Sequence, residues 1–215
     1  MLFGGTGLYI DSLVYGIEYP DITLNEEYRN ELNEIAKTDE GLKKLYEEAK
    51  RIDEEAMKKI SLNDKKRILR VLEIYKATGK NKTEQEIESR KHDVKYDYRV
   101  FALNMDREIL YERINRRVDI MIENGLIEEV KKVCKMYDKF PTAMQGLGYK
   151  EVVEYLENKV TKEEMIEKIK QETRRYAKRQ LTWFRKNKET VWLDALSGTQ
   201  NNVKIILEVC SEKRE

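Results

Sequence analysis

Apolar residues recur every three or four positions along most of this chain, the mark of helices with one buried face. The spacing predicts a short helix over 8–16, with Leu8, Tyr9, Leu13 and Val14 on one side and Gly16 and Pro20 ending it. Leu32, Ile35, Leu42, Leu45 and Ala49 carry the same spacing through a strongly charged stretch over 25–80. Within it Asn63 suits a helix N-cap, Ile68, Val71, Leu72 and Tyr75 form an apolar stripe, and Gly79 stands where a C-cap belongs. Residues 80–97 are polar and include a linker.

Two stretches break the helical period. Arg99, Val100, Phe101, Ala102, Leu103 and Asn104 have the apolar content of a buried strand, after which Asp106 caps a helix reaching Gly125. Helices follow over 126–137, 149–156 and 162–184, a loop occupies 141–148, and Val191, Trp192 and Leu193 make a final strand. At the other end, Met1, Leu2 and Phe3 run into Gly4, Gly5, Thr6 and Gly7 like the end of a strand entering a tight turn, an opening expected of a truncated domain. The pattern implies an α/β fold, predominantly helical, in three parts: a core fragment over 1–20, an all-helical insertion over 21–95 and the remainder of the core over 96–215.

Composition narrows the function. With 215 residues, 40% of them hydrophobic, the chain can bury a sizeable core. Its 42 basic and 41 acidic side chains nearly cancel, so only local clustering can point to a polyanion. Cys134, Cys210 and the single His92 support neither a disulfide framework nor a metal site, and His92 receives no role. No apolar run approaches the roughly 20 residues that cross a bilayer, so a cytoplasmic protein without a membrane partner is expected.

Clustering is strongest over 173–188, where Arg174, Arg175, Lys178, Arg179, Arg185, Lys186 and Lys188 occur without one acidic residue. Tyr176, Trp183 and Phe184 interleave with them, a pattern suited to RNA phosphates and bases, or to a solvated basic face whose aromatics pack inward. Thr173 and Gln180 interrupt the inward stripe of this helix, as in a helix lining a ligand channel or one making internal hydrogen bonds. Arg117 falls within about 20° of Leu110 at 100° per residue, near Ile114 and Met121, so it is aimed into an apolar stripe. A buried guanidinium requires an internal carboxylate or a phosphate ligand. Gly4 to Gly7 permits close backbone approach before a helix start, and Gln145, Gly146, Leu147, Gly148, Tyr149 and Lys150 combine flexible backbone with an amide, a phenol and a cation.

In order, Gly4-Gly5-Thr6-Gly7-Leu8-Tyr9, Asn63-Asp64-x-x-Arg67-x-x-Arg70-x-Leu72-Glu73, Arg113-Ile-Asn-x-Arg117-Val-Asp119-x-Met121, Gly148-Tyr149-Lys150-Glu151 and Thr173-Arg-Arg-Tyr-Ala-Lys-Arg-Gln180-x-Thr-Trp183-Phe-Arg185 resemble the signature of tRNA dimethylallyltransferases. The resemblance implies a P-loop-type α/β core interrupted by a helical insertion. It further implies transfer of a dimethylallyl group from dimethylallyl diphosphate to N6 of adenosine 37 in the anticodon stem-loop of tRNA, dependence on Mg²⁺, and a monomeric full-length enzyme. Thr6 resembles the family threonine near the reacting adenine, and Arg117, with Arg113 as alternative, the arginine on the diphosphate. Arg29, the run Lys66, Arg67, Ile68, Leu69 and Arg70, the loop Gln145 to Lys150, and the run Lys178, Arg179, Gln180, Leu181, Thr182, Trp183, Phe184 and Arg185 resemble its tRNA-contacting positions.

The family also carries a Gly-x-x-x-x-Gly-Lys-Ser/Thr phosphate loop followed by an aspartate that serves as general base, and the 215 residues contain neither. The expectation is an N-terminally truncated enzyme, inactive alone, whose Mg²⁺ ligands lie in the missing segment. A non-catalytic RNA-binding or helical adaptor protein is the rival reading.

Overall fold

A computed structural model describes residues 1–17, 19, 25–91, 94, 96–137 and 145–211. They form two compact units, Leu8–Asp97, and Met1–Gly7 with Tyr98–Glu215. Pro20, His92 and Pro141, on which the sequence placed a helix stop, an unassigned histidine and a loop start, lie outside the described residues.

Helix α1 (Gly7–Val14) opens the first unit, but it buries no residue, and Leu8, Tyr9 and Leu13 of its expected inner side are exposed. Side-chain caps start each helix that follows: Asn25 for α2 (Glu26–Ile35), Thr38 for α3 (Asp39–Ile52), Asp53 for α4 (Glu54–Met57) and Asp64 for α5 (Lys65–Thr78). Asp64, not the expected Asn63, accepts the Arg67 N–H, because the chain turns at 61–64 and enters the helix one residue later. Gly79 ends α5 in the left-handed conformation (φ +70°), as its position predicted. Ile68, Leu69, Val71 and Leu72 of α5 pack on Leu32, Ala36, Leu45, Ala49, Met57 and Ile60, each full burial contributing about 1.5–3 kcal/mol. Tyr75 of the expected stripe is exposed instead.

The polar stretch after Gly79 also contains a helix. Asn81 and Glu84 form a reciprocal capping box on α6 (Lys82–Glu88), and the buried Asp53 carboxylate accepts both the Thr83 N–H and the Thr83 hydroxyl at 2.7 Å. Local capping and one buried carboxylate therefore replace the missing apolar stripe.

In the second unit β1 (Phe101–Asn104) pairs in parallel with β2 (Val191–Asp194), Phe101 opposite Val191 and Asn104 opposite Asp194. Between them run α7 (Arg107–Glu123), capped by Asp106, α8 (Leu126–Met136), α9 (Tyr149–Leu156) and α10 (Lys162–Phe184), with α11 (Thr199–Ser211) after β2. Val118, Leu126, Val130, Val152, Met165 and Ile169 form the core of this helical layer. The described residues thus make an α/β fold that is mostly helical, as the pattern implied. Met1, Leu2 and Phe3 are exposed and form no strand, since a strand needs a bonded neighbour and β1 and β2 pair only with each other among the described residues. Helix α11 was not expected from the sequence.

Candidate RNA-binding and phosphate-binding surface

The Gly-Gly-Thr-Gly turn is shaped by α10. The Gln180 Nε2–H donates to the Gly5 carbonyl at 2.9 Å. A Cβ at Gly5 would lie 2.3 Å from Gln180 Nε2, and one at Gly7 would lie 2.2 Å from Trp183 Cδ1. Neither glycine has a positive φ, so both are needed for closeness to the helix rather than for an unusual backbone. Thr6, held between them, is exposed, and its hydroxyl has no partner among the described residues. The polar interruptions of α10 both make internal hydrogen bonds, Gln180 to the Gly5 carbonyl and Thr173 to the Ile169 carbonyl at 2.7 Å.

Charge divides α10 in two. Lys168 reaches Glu154 at 2.5 Å, Lys170 reaches Asp119 at 2.6 Å, Arg174 bonds Asn115 and Glu167 at 2.6 and 2.8 Å, and Arg175 meets Glu172 at 2.6 Å. The Arg175 hydrogen bond holds the Glu172 carboxyl below the usual carboxylate range despite its partial desolvation. From Lys178 onward no cation of the stretch makes an ion pair within 4 Å among the described residues, although Arg179 stands near enough to help lower Glu172. Arg179 lies over the Tyr176 ring at 5.7 Å, Lys186 over Trp183 at 4.6 Å and Arg185 over Trp192 at 5.9 Å. Arg174 and Arg175 thus share their charge with carboxylates of the protein, while Lys178, Arg179, Arg185, Lys186 and Lys188 make no ion pair among the described residues. Leu181, Trp183 and Phe184 are half-buried, and the exposed Thr182 hydroxyl donates to the Lys178 carbonyl.

Arg117 is not buried. The inward line of α7 runs through Val118 with Met121 and Ile122, about 100° from Arg117, and the Leu110 and Ile114 side is only half-covered. Arg113 and Arg117 are both exposed and without ion pairs among the described residues. They project from α7 roughly opposite Asn115, which faces α10, so contact does not bring them to Thr6 or Gln180.

Two other expected contact runs separate into surface and scaffold. Ile68 and Leu69 are core residues of α5 and cannot touch RNA, since the helical period turns them inward, whereas Lys66, Arg67 and Arg70 are exposed. Arg67 pairs with Asp64 at 3.1 Å, and Arg29 and Arg70 both lean on the buried Glu73, at 3.3 and 3.5 Å. In the loop, Gln145, Gly146, Leu147 and Lys150 are exposed, but Gly148 is buried as the left-handed start of α9 (φ +97°), which removes it from any contact surface. Its N–H donates to Glu151 Oε2 at 2.8 Å, and the other Glu151 oxygen, buried without a hydrogen bond, has Lys150 Nζ at 3.3 Å. The Tyr149 hydroxyl donates to Glu129, a bond that raises the phenol above its ordinary value.

Glu73, a motif residue in the sequence, stands between the buried Leu72 and Ile74, a placement in which a glutamate requires an internal partner. No group of three or more His, Cys, Asp or Glu able to hold a metal occurs among the described residues, so the donor set for Mg²⁺ is not found there. No helix among them is long and apolar enough to cross a membrane.

A family model described as IPP transferase matches residues 1–187. A tRNA dimethylallyltransferase of Acetivibrio thermocellus is 46% identical over 192 residues, 89% of this chain and 61% of that protein. Its counterpart in Thermoanaerobacter pseudethanolicus is 50% identical over 188 residues, 86% of this chain and 59% of that one. The chain therefore spans about 60% of the length of the curated relatives it matches. Among solved structures, the full-length tRNA isopentenylpyrophosphate transferase of Bacillus halodurans matches with a TM-score of 0.60 and 36% identity, over 96% of this chain and 63% of that one. A eukaryotic dimethylallyltransferase acting on tRNA matches with a TM-score of 0.71 and 27% identity, over 98% and 56%.

Proposed function

The chain belongs to the IPP transferase family, and from that premise we propose that it carries the tRNA-binding part of an enzyme that prenylates N6 of the adenosine next to the anticodon, with dimethylallyl diphosphate as donor. In that reaction the donor carbon leaves its diphosphate oxygen and bonds to N6, pyrophosphate departs with the electron pair, and the N6 proton passes to a base. Thr6 is assigned to the adenine and Arg117, with Arg113, to the charge growing on the diphosphate, because exposed guanidiniums without carboxylates remain available to phosphate. No residue of this chain is assigned the proton, and no step is routed through Mg²⁺.

Lys178, Arg179, Gln180, Thr182 and Arg185 are assigned to the anticodon stem-loop, with Arg29, Lys66, Arg67, Arg70 and the 145–150 loop other than Gly148 as further tRNA contacts. Residues 21–95 are read as a helical insertion in a P-loop-type core, and the full-length enzyme as a cytoplasmic monomer. One observation carries the reading: the turn holding Thr6 is tied by Gln180 and Trp183 to the carboxylate-free end of α10. The adaptor reading accounts for the cations but not for the glycines that bring Thr6 there.

The test is a Lys178→Ala, Arg179→Ala, Arg185→Ala triple variant, titrated with an anticodon stem-loop RNA at several salt concentrations. Affinity should fall and the slope of log K against log salt should flatten by about 2 to 3, since each phosphate contact contributes about 0.7–0.9. A variant that keeps the parent slope and affinity while unfolding at the parent temperature refutes the assignment.

A further inference from the structure

We infer that Glu73 is a positioning residue for RNA, a buried carboxylate that holds the Arg29 and Arg70 guanidiniums side by side as one phosphate-binding fork. The inference rests on the reading of those two arginines as tRNA contacts. Glu73 is 94% buried in side-chain terms, at 6% exposure, whereas Arg29 and Arg70 are 53% and 44% exposed. Each carboxylate oxygen takes one arginine, Oε1 the Arg29 Nε at 3.3 Å and Oε2 the Arg70 Nη1 at 3.5 Å. Arg29 comes from α2 and Arg70 and Glu73 from α5, so the carboxylate also bridges two helices of one unit.

Two guanidiniums this close repel, and a solvated arginine spends its rotamer freedom in many directions. A carboxylate shared by both offsets the repulsion and favours their paired placement. Arg29 meets Glu73 at Nε and Arg70 meets it at Nη1, so each half-exposed guanidinium has further N–H donors to offer a phosphate. The cluster retains a net charge of +1, made of two donors aimed outward and one acceptor hidden inward, which matches a phosphodiester and disfavours a cation. A glutamate needed only for stability could take one partner; here both of its oxygens are given to exposed side chains.

Charge and position predict opposite outcomes, which makes the test decisive. If Glu73 only neutralises, Glu73→Gln adds a positive charge to the patch, so affinity for RNA rises and the salt dependence steepens. If Glu73 positions, the two arginines separate, affinity falls about fivefold to tenfold, and the salt slope drops by about 1. The whole 215-residue chain is titrated with an anticodon stem-loop RNA, and circular dichroism checks that the thermal midpoint is kept. Should Glu73→Gln unfold, Arg70→Lys decides instead: it leaves the charge and the core intact, so a fall of several-fold supports the fork and unchanged affinity overturns it. An Arg29→Ala, Arg70→Ala double variant separates the two layers of argument. If it binds like the parent, the assignment of this patch to tRNA fails and the fork with it; if it binds weakly while Glu73→Gln binds as well as or better than the parent, the patch stands and the positioning role is refuted.

Discussion

Replacing Gly7 by alanine should dislodge the 1–7 segment from α10, whereas the same change at Gly4 should be silent. A Cβ at Gly7 would lie 2.2 Å from Trp183 Cδ1 and 2.4 Å from Cγ, where carbon contacts settle at about 3.5–4.0 Å. The rigid indole must shift by more than about 1 Å, and overpacking of that kind costs about 1–3 kcal/mol. That cost is capped by the free energy of docking, because the segment leaves once strain exceeds it. At Gly5 the obstacle is Gln180 Nε2, the end of a flexible side chain, which can swing aside at the expense of its bond to the Gly5 carbonyl, about 0.5–1.5 kcal/mol. Nothing lies within 4 Å of a Cβ at Gly4, so alanine there should stay within about 0.5 kcal/mol of the parent. The chain has two tryptophans, Trp183 and Trp192, so a Trp192→Phe background makes the emission of Trp183 the reporter. The red shift and the loss of urea resistance should increase in the order Gly4, Gly5, Gly7. Three alanine variants with one emission maximum and one midpoint would refute the packing argument.

Further outcomes can be checked alongside. Burial pushes the Asp53 carboxyl up, but bonds from the Ala56 N–H, the Thr83 hydroxyl and the Thr83 N–H, with Lys82 nearby, outweigh it and hold the group below its ordinary value. Its contribution should be present above the unfolded value of about 3.9 and lost as pH falls from there through the folded value, seen as an acid-induced drop in the thermal midpoint that Asp53→Asn flattens. Ile68→Ala should destabilise the Leu8–Asp97 unit by about 2–5 kcal/mol in urea titrations while leaving the salt slope of RNA binding unchanged, as fits a core residue. The 215 residues alone should transfer no dimethylallyl group to a stem-loop RNA in the presence of Mg²⁺, measured by mass spectrometry of the RNA, because they hold no Gly-x-x-x-x-Gly-Lys-Ser/Thr loop.

Elements with a strong period and a cap were legible in the sequence. The Asp106 cap of α7, the Gly79 stop of α5 and the bounds of α9 and α10 match expectation because local hydrogen bonds set them. What period alone decides failed at Arg117, which stands about 100° from the inward line through Val118, on the side of Leu110 and Ile114 that remains half-open. Helix α6 escaped because its stability comes from a capping box and from Asp53, thirty residues away, which no local window reveals. Helix α11 had its signals, Gly198 and the spacing of Val203, Ile206, Leu207 and Cys210, but they were overlooked behind the final strand. Around the candidate surface the residue types were legible and the pairings were not: cations of α10 look alike in sequence, and only the fold shows which have carboxylates.

The Gln180 to Gly5 bond joins residues 175 positions apart, and its consequence is felt during synthesis. The turn at Gly5 emerges well before the helix that receives it, because Gln180 is made 175 residues later. At about 5–20 residues per second the wait is roughly 10 to 35 s. Through that interval the Leu8–Asp97 helices can assemble by themselves while the turn from Gly5 to Gly7 remains without Gln180 and Trp183 to receive it. Slowing translation between Asp97 and Gln180 should therefore lower the soluble yield more than slowing it after β2.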